Sequence, residues 1–261
     1  MRYIATWSFE PFRQNSRHEI DLNLKHECIV FAALASLSIE SFAREFNTTP
    51  IIYTDSIGVE AFASLPCETV NVYDGVFDTI SPRMWAYPKV LTYGMQTEPY
   101  LHFDLDFFIN RPFDHTSTDV VTQCIDDCEE TYTVDPRSFG FTVPDFMYDY
   151  IVPSATVGVL GMNNMALNEE YARLAKECME ANQHLDIPTG RLNTVCEQQL
   201  LCSLMARDGH TMSYMHSQFD GPGQYYHFAG YKKIDYHIRP FIMQYLTTDH
   251  RAMARKIYEL L

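Results

Sequence analysis

Basic residues are scarce in this sequence: 19 Lys and Arg stand against 34 Asp and Glu, a formal net charge of −15, and no Lys/Arg-rich run interrupts that balance. The phosphates of a nucleic acid would meet a mostly repulsive field, which argues against DNA or RNA as a partner. A nucleotide remains compatible, because a divalent cation can neutralise a diphosphate where it sits. Long apolar runs are missing as well. No stretch approaches the ~18 consecutive apolar residues of a membrane helix, and Met1 to Trp7 carries one Arg but no apolar run of the secretory type. Cysteine occurs without a disulfide or zinc pattern. The seven residues at 28, 67, 124, 128, 178, 196 and 202 are odd in number, contain no Cys-x-x-Cys pair and lie mostly in apolar stretches. Cys124 and Cys128 have no second ligand pair that would complete a zinc site. They read as reduced, buried thiols, and the expected compartment is the cytoplasm. Pro and Gly are scattered, and no repeat or low-complexity linker divides the chain, so a single domain over 1–261 is expected.

What is present is material for one substantial core. Of the 261 residues, 46% are hydrophobic, 14% aromatic and 20% charged, the balance of a folded globular protein. Tyr3-Ile-Ala-Thr6-Trp7 reads as a first strand that ends in a functional loop, Glu10 to His18, and strand ends are where open α/β sheets hold ligands. Apolar residues at Ile29, Ala32, Ala33, Leu37 and Phe42 mark a helix from about Leu22 to Phe46. Strands follow over Pro50 to Thr54 and Thr69 to Tyr73, with helices around Val59 to Leu65 and Pro82 to Met95, then a strand that begins at Pro99 and Tyr100. This alternation over the first ~110 residues is the pattern of a parallel sheet built from βαβ units. From Thr116 to Pro153 the pattern is irregular and Pro- and acid-bearing, a segment with room for ligand contacts. A buried strand over Thr156 to Gly161, helices near Asn168 to Leu185 and Thr194 to Asp208, and a terminal helix over Thr248 to Leu261 complete the reading.

The most informative segment is Tyr100-Leu-His-Phe-Asp104-Leu-Asp106-Phe-Phe-Ile-Asn110. Two carboxylates two positions apart in an apolar strand would cost several kcal/mol to bury uncompensated, and a cation compensates both. In a regular strand such a pair shares one face and can approach one oxygen-liking divalent metal. The competing reading is a pair that caps a strand or faces solvent; the apolar flanks and Lys89 on the preceding helix favour the metal. His102, on the same face as Asp104, reads as packing, and His237 and His250 have no defensible partner spacing. In Glu197-Gln198-Gln199, flanked by Val195 and Leu200-Leu201, two readings stand open. One is a solvated helix face; in the other the segment is a functional acid and amide element, with Glu197 a candidate general base and Gln198 an amide that can face developing positive charge.

Trp85-Ala-Tyr-Pro-Lys89-Val-Leu-Thr-Tyr followed by Tyr100-Leu-His-Phe-Asp104-Leu-Asp106 resembles the GT-A nucleotide-sugar glycosyltransferases, closest to the glycogenin-like and bacterial lipopolysaccharide galactosyltransferase group. The resemblance implies a GT-A-like, Rossmann-type α/β fold with a mostly parallel central sheet flanked by helices. It further implies a donor-facing Lys89, and manganese held through the donor diphosphate by Asp104 and Asp106. Val157-Gly158-Val159-Leu160-Gly161 is similar to that group's buried Asn-Ala-Gly-Val strand, with Ala155-Thr156 in place of Asn-Ala. Tyr226-His227-Phe228-Ala229-Gly230-Tyr231-Lys232 is similar to its His-Phe-x-Gly-x-x-Lys-Pro element. Here Lys232 falls one residue early, Lys233 takes the usual Lys position and Ile234 replaces Pro. In that group the His completes the metal site and the Gly and Lys meet the phosphates, which assigns His227 to the metal and Gly230 with Lys232 or Lys233 to the donor. Thr6, at the end of the first strand, joins this expected donor set.

The resulting expectation is a metal-dependent hexosyltransferase. A Mn²⁺ or Mg²⁺ ion would bridge Asp104, Asp106, His227 and a nucleotide-diphosphate sugar, and the sugar would pass with retention to a hydroxyl of a glycan, lipid-linked sugar or protein. Residues 1–110 would form the nucleotide-binding half, 111–247 the acceptor-side half and 248–261 the terminal helix. Two alternatives compete. A non-catalytic nucleotide-sugar-binding protein would bind donor without transfer. A phosphatase or phosphotransferase using Asp-x-Asp would place the motif at the first strand rather than, as here, at the fourth.

Overall fold

The computed structural model describes residues 1–10, 21–125, 133–219, 223–228 and 248–260, with only the backbone described for 21–27, 248–250 and 260. The chain is α/β and its central sheet has seven strands, mostly parallel. Two compact units divide it, one of Met1–Arg2, Gly75–His102 and Phe113–Asp220, the other of Tyr3–Asp74, Phe103–Pro112 and Gly221–Leu261.

The second unit begins with β1 (Arg2–Thr6), followed by α1 (Asp21–Glu45), β2 (Ile51–Thr54), α2 (Ser56–Ala61) and β3 (Glu68–Asn71). Strands β1, β2 and β3 run parallel in the order β3-β2-β1, with Ile4 opposite Ile51 and Ile52 opposite Thr69. A parallel arrangement needs a crossover, and α1, with Ala32, Ala33, Ile39 and Phe42 buried, supplies it. Asp55 sets the start of α2: its carboxylate accepts from the Gly58 amide at 3.0 Å and, in the loop after β1, from the Phe9 amide at 2.5 Å and the Ser8 hydroxyl at 3.0 Å. Burial nevertheless pushes the Asp55 pKa up. Gly58 is required by space, since a Cβ there would lie 1.8 Å from Thr54 Oγ1. The C-terminal helix (Thr248–Leu260) packs on α1, with the Ser36 hydroxyl 3.6 Å from the Met253 sulphur.

The first unit carries α3 (Tyr87–Met95), β4 (Tyr100–Phe103), β6 (Val120–Ile125), β7 (Ala155–Met162) and α4 (Met165–Asn182). These are followed by α5 (Thr189–Thr194), α6 (Leu200–Asp208) and β8 (Met212–Tyr214). Its strands follow the order β4-β7-β6-β8, with β6 antiparallel to β7 and parallel to β8. Helix α3 packs on α4, where Asn168 accepts from the Tyr100 hydroxyl at 2.8 Å and donates to the Tyr93 carbonyl at 2.8 Å. The remaining strands, β5 (Phe107–Ile109) and β9 (Tyr225–His227), form a separate antiparallel ribbon in the second unit.

The elements expected between Tyr3 and Met95 are present with shifted ends. The irregular stretch after Thr116 contains β6, whose ladder with β7 shifts register between Thr122 and Cys124. Two local expectations need correction. Asp104 and Asp106 do not share a strand: β4 stops at Phe103 and the two acids occupy a turn before β5. The helix read from Thr194 to Asp208 begins earlier, at Thr189, and contains a π-helical turn, Val195–Gln199, between α5 and α6. Of the seven cysteines, Cys28, Cys178, Cys196 and Cys202 are buried, Cys67 and Cys124 are half-buried, and Cys128 lies outside the described residues.

Candidate functional site

Asp104 and Asp106 are placed by backbone hydrogen bonds rather than by strand pleat. The Phe107 amide donates to the Asp104 carbonyl at 3.0 Å and closes the turn. The Phe228 amide donates to the Asp106 carbonyl at 3.0 Å, which brings the end of β9 against the acids. In the β5–β9 ribbon His227 pairs with Phe107, and their rings lie 5.4 Å apart. Helix α1 braces the arrangement: the buried Ser38 hydroxyl lies 2.9 Å from the Asp104 carbonyl and 2.5 Å from the Phe107 carbonyl, donating to one at a time. One turn on, Ser41 Oγ accepts from the Ile109 amide at 3.2 Å. Phe42 stacks on Phe103 with centroids 4.0 Å apart and fixes the strand end from which the turn departs.

The product of this scaffold is a three-residue cluster. One ligand atom each from Asp104, Asp106 and His227 lies within 4.8 Å of the others, and all three residues are partly buried. His227 Nε2 lies 3.6 Å from Asp106 Oδ1, with side-chain exposures of 10% and 12%. That gap is too long for a hydrogen bond and suits two atoms that bind one ion at about 2.1 Å each. Two carboxylates and one imidazole are a donor set for a divalent ion such as Mn²⁺, and Mg²⁺ would use the oxygens. The residues therefore fit the expected cation, and the order of events in the chain, an acid turn followed much later by a His-bearing strand, is reproduced as a spatial cluster.

A second group lies wholly within the first unit. Lys89, on α3, is buried, and its Nζ lies 3.0 Å from Oε1 of Glu197, which is fully buried on the π-helical turn. The Tyr93 hydroxyl donates to the same Oε1 at 3.3 Å, and the Tyr171 hydroxyl donates to the Glu197 carbonyl at 3.2 Å. The edge of the buried His102 ring meets Tyr93, centroids 5.3 Å apart; burial and the Lys89 charge hold its pKa well below the usual histidine range, so it is a neutral packing residue. Gln199 pairs in both directions with the backbone of Val134, accepting from its amide at 3.2 Å and donating to its carbonyl at 2.6 Å. Cys196 Sγ lies 2.8 Å from Cys178 Sγ on α4. Gln198 is half-buried, and among the described residues its amide oxygen, although buried, has no hydrogen-bond partner.

Thr6 is buried at the end of β1, opposite Tyr53. Gly230, Lys232, Lys233, His237 and the side chain of His250 lie outside the described residues. Ser38 and Ser41 are participants that pattern reading passed over; a hydroxyl on an otherwise apolar helix face was the available signal for them.

A family model described as a family of unknown function, DUF6734, matches residues 1–256. The chain belongs to the DUF6734 family. No curated protein matches it. Among solved structures, the DUF6734 chain is similar to the galactosyltransferase LgtC in complex with donor and acceptor sugar analogues. The TM-score is 0.51 at 11% identity, covering 97% of this chain and 100% of the other. An active-site mutant of LgtC gives 0.50 at 13% identity, over 95% and 97% of the two chains. Mouse xyloside xylosyltransferase 1, at 0.44 and 10% identity over 87% and 96%, is too distant to carry weight. At such identities likeness establishes architecture alone: the DUF6734 chain has the GT-A fold.

Proposed function

We propose that this chain is a glycosyltransferase that takes a nucleotide-diphosphate sugar as donor and passes the sugar to an acceptor hydroxyl. The observation that carries the reading is the convergence of Asp104, Asp106 and His227 on one point in a GT-A fold. These three residues would hold Mn²⁺ or Mg²⁺, which when bound supplies positive charge to the diphosphate as the sugar bond breaks. Thr6, Gly230 and Lys232 or Lys233 would bind the donor, and Lys89, Glu197 and Gln198 would serve the sugar-transfer step. A buried carboxylate paired with Lys89 is poorly suited to accept a proton, whereas an amide oxygen such as that of Gln198 can face developing positive charge. This favours retention over inversion.

A hexosyl donor, an acceptor that is a glycan, lipid-linked sugar or protein, and a single catalytic domain with a nucleotide-binding half at 1–110 belong to the same proposal. So does a cytoplasmic setting, which the free cysteines support; no described helix is long and apolar enough to cross a membrane. The test is thermal melting with UDP, GDP and ADP, each with and without Mn²⁺, followed by hydrolysis of the matching nucleotide sugars. One nucleotide should stabilise the protein only with Mn²⁺ present; at a hundred times its Kd the gain is about 2.7 kcal/mol. No metal-dependent stabilisation by any nucleotide, and no hydrolysis, would end the proposal.

A further inference from the structure

The turn Val195–Gln199 is π-helical: the Leu200 amide reaches back to the Val195 carbonyl as well as to that of Glu197. A π-turn inserts one extra residue into a helix at the cost of its regular hydrogen bonds, and such turns recur at functional sites. Here the turn is tied at several points. The Glu197 side chain is tied to Lys89 and Tyr93, its backbone carbonyl to Tyr171, and the Gln199 side chain to both backbone polar groups of Val134. Between the two tied side chains stands Gln198, half-buried, with an amide oxygen that has no partner among the described residues. An ion pair in which one side chain is 9% exposed and the other 0% is costly to desolvate, and replacing such a pair by apolar groups is often neutral or stabilising. Its presence at the turn is therefore better explained by what it orients than by what it adds to stability.

We infer that Lys89, Glu197 and Gln199 are positioning residues: the Lys89–Glu197 pair and the Gln199–Val134 clamp hold the π-turn so that the Gln198 amide oxygen is presented to the reacting sugar. The inference rests on the glycosyltransferase reading for the identity of what Gln198 faces, and it assigns Lys89 to Glu197 rather than to donor phosphate. The two assignments differ in a double-mutant cycle. Lys89→Met removes the ammonium group that lies 3.0 Å from the buried Glu197 carboxylate. Adding Glu197→Gln removes the carboxylate charge and keeps an acceptor for Tyr93. If Lys89 acts through Glu197, the second substitution restores what the first removed. If Lys89 touches the donor, the second substitution restores nothing.

The experiment measures kcat and KM for Mn²⁺-dependent hydrolysis of UDP-galactose, or of whichever nucleotide sugar the melting series selects. The proteins are wild type, Lys89→Arg, Lys89→Met and Lys89→Met/Glu197→Gln, with amide hydrogen exchange over residues 195–200 in the free proteins. Lys89→Met should lower kcat by roughly a hundredfold with KM little changed and speed exchange in the turn. The double variant should regain at least about tenfold in kcat and most of the protection, and Lys89→Arg should stay within about tenfold of wild type. Should Lys89→Met fail to fold, folding of the double variant is the same recovery. A raised KM with no recovery in the double variant, or a double variant that folds no better than an unfolded single one, overturns the inference. If wild type hydrolyses no nucleotide sugar, the functional reading fails and exchange alone decides: unchanged protection in Lys89→Met refutes the positioning role.

Discussion

Replacing Ser38 by Ala tests how the acid turn is held. The Ser38 hydroxyl is fully buried and lies 2.9 Å and 2.5 Å from the carbonyls of Asp104 and Phe107. Ala removes the donor and leaves buried acceptors with fewer partners, a loss of about 1–3 kcal/mol in general. The Asp104 carbonyl keeps the Phe107 amide at 3.0 Å, so the cost belongs near the low end, about 1–2 kcal/mol. For a chain of this size that is a fall in Tm of roughly 2–8 °C. Because the same hydroxyl braces the turn that carries both acids, Mn²⁺ affinity should also fall, by about tenfold as outer-shell changes do. The control is Ser36→Ala on the same helix, whose hydroxyl meets, among the described residues, a weak acceptor, the Met253 sulphur at 3.6 Å; it should melt within about 2 °C of wild type and titrate Mn²⁺ normally. Melting and metal titration that cannot distinguish Ser38→Ala from Ser36→Ala would refute the bracing argument.

The other predictions concern the metal, a glycine and a histidine. His227→Ala should weaken Mn²⁺ binding while the protein stays folded, and an unchanged titration would return His227 to a structural role. Gly58→Ala must move Thr54, whose Oγ1 would stand 1.8 Å from the new Cβ; the expected loss is about 1–3 kcal/mol in urea unfolding, and a neutral result would show that Thr54 rotates freely. His115 is buried, with Nδ1 3.0 Å from the Phe113 carbonyl, and burial holds its pKa below the usual histidine value. With the folded pKa depressed, its contribution is present above about pH 6.5, the unfolded value, and is lost as pH falls towards the folded one. The stability deficit of His115→Gln relative to wild type should therefore shrink between pH 7 and pH 5, and a constant deficit would contradict the assignment.

How much of this was legible depends on the range over which each residue is specified. The parallel strands at Tyr3–Thr6 and Ile51–Thr54 and helix α1 follow from local apolar periodicity, and the structure contains them. Asp104 and Asp106 were legible as a pair because two acids in an apolar run are conspicuous. Their turn was not, since the carbonyls of Asp104 and Asp106 are held by hydrogen bonds from Ser38 and Phe228 that no local pattern encodes. The same holds for the pairing of Lys89 with Glu197, on elements far apart in the chain. A π-turn differs from an α-helix in hydrogen-bond register and not in composition, so Val195–Gln199 reads as ordinary helix. Strand β6 escaped because its ladder shifts register after Thr122 and its flanks are polar and Pro-bearing.

The central claim is that Asp104, Asp106 and His227 hold a divalent cation on a nucleotide diphosphate. Its most direct measurement is calorimetric titration of the selected nucleoside diphosphate into wild type and Asp106→Asn, each with saturating Mn²⁺ and with chelator. Wild type should bind only with Mn²⁺ and Asp106→Asn should bind weakly or not at all while melting as a folded protein; equal binding by both proteins, or binding by wild type that ignores the chelator, would contradict the account.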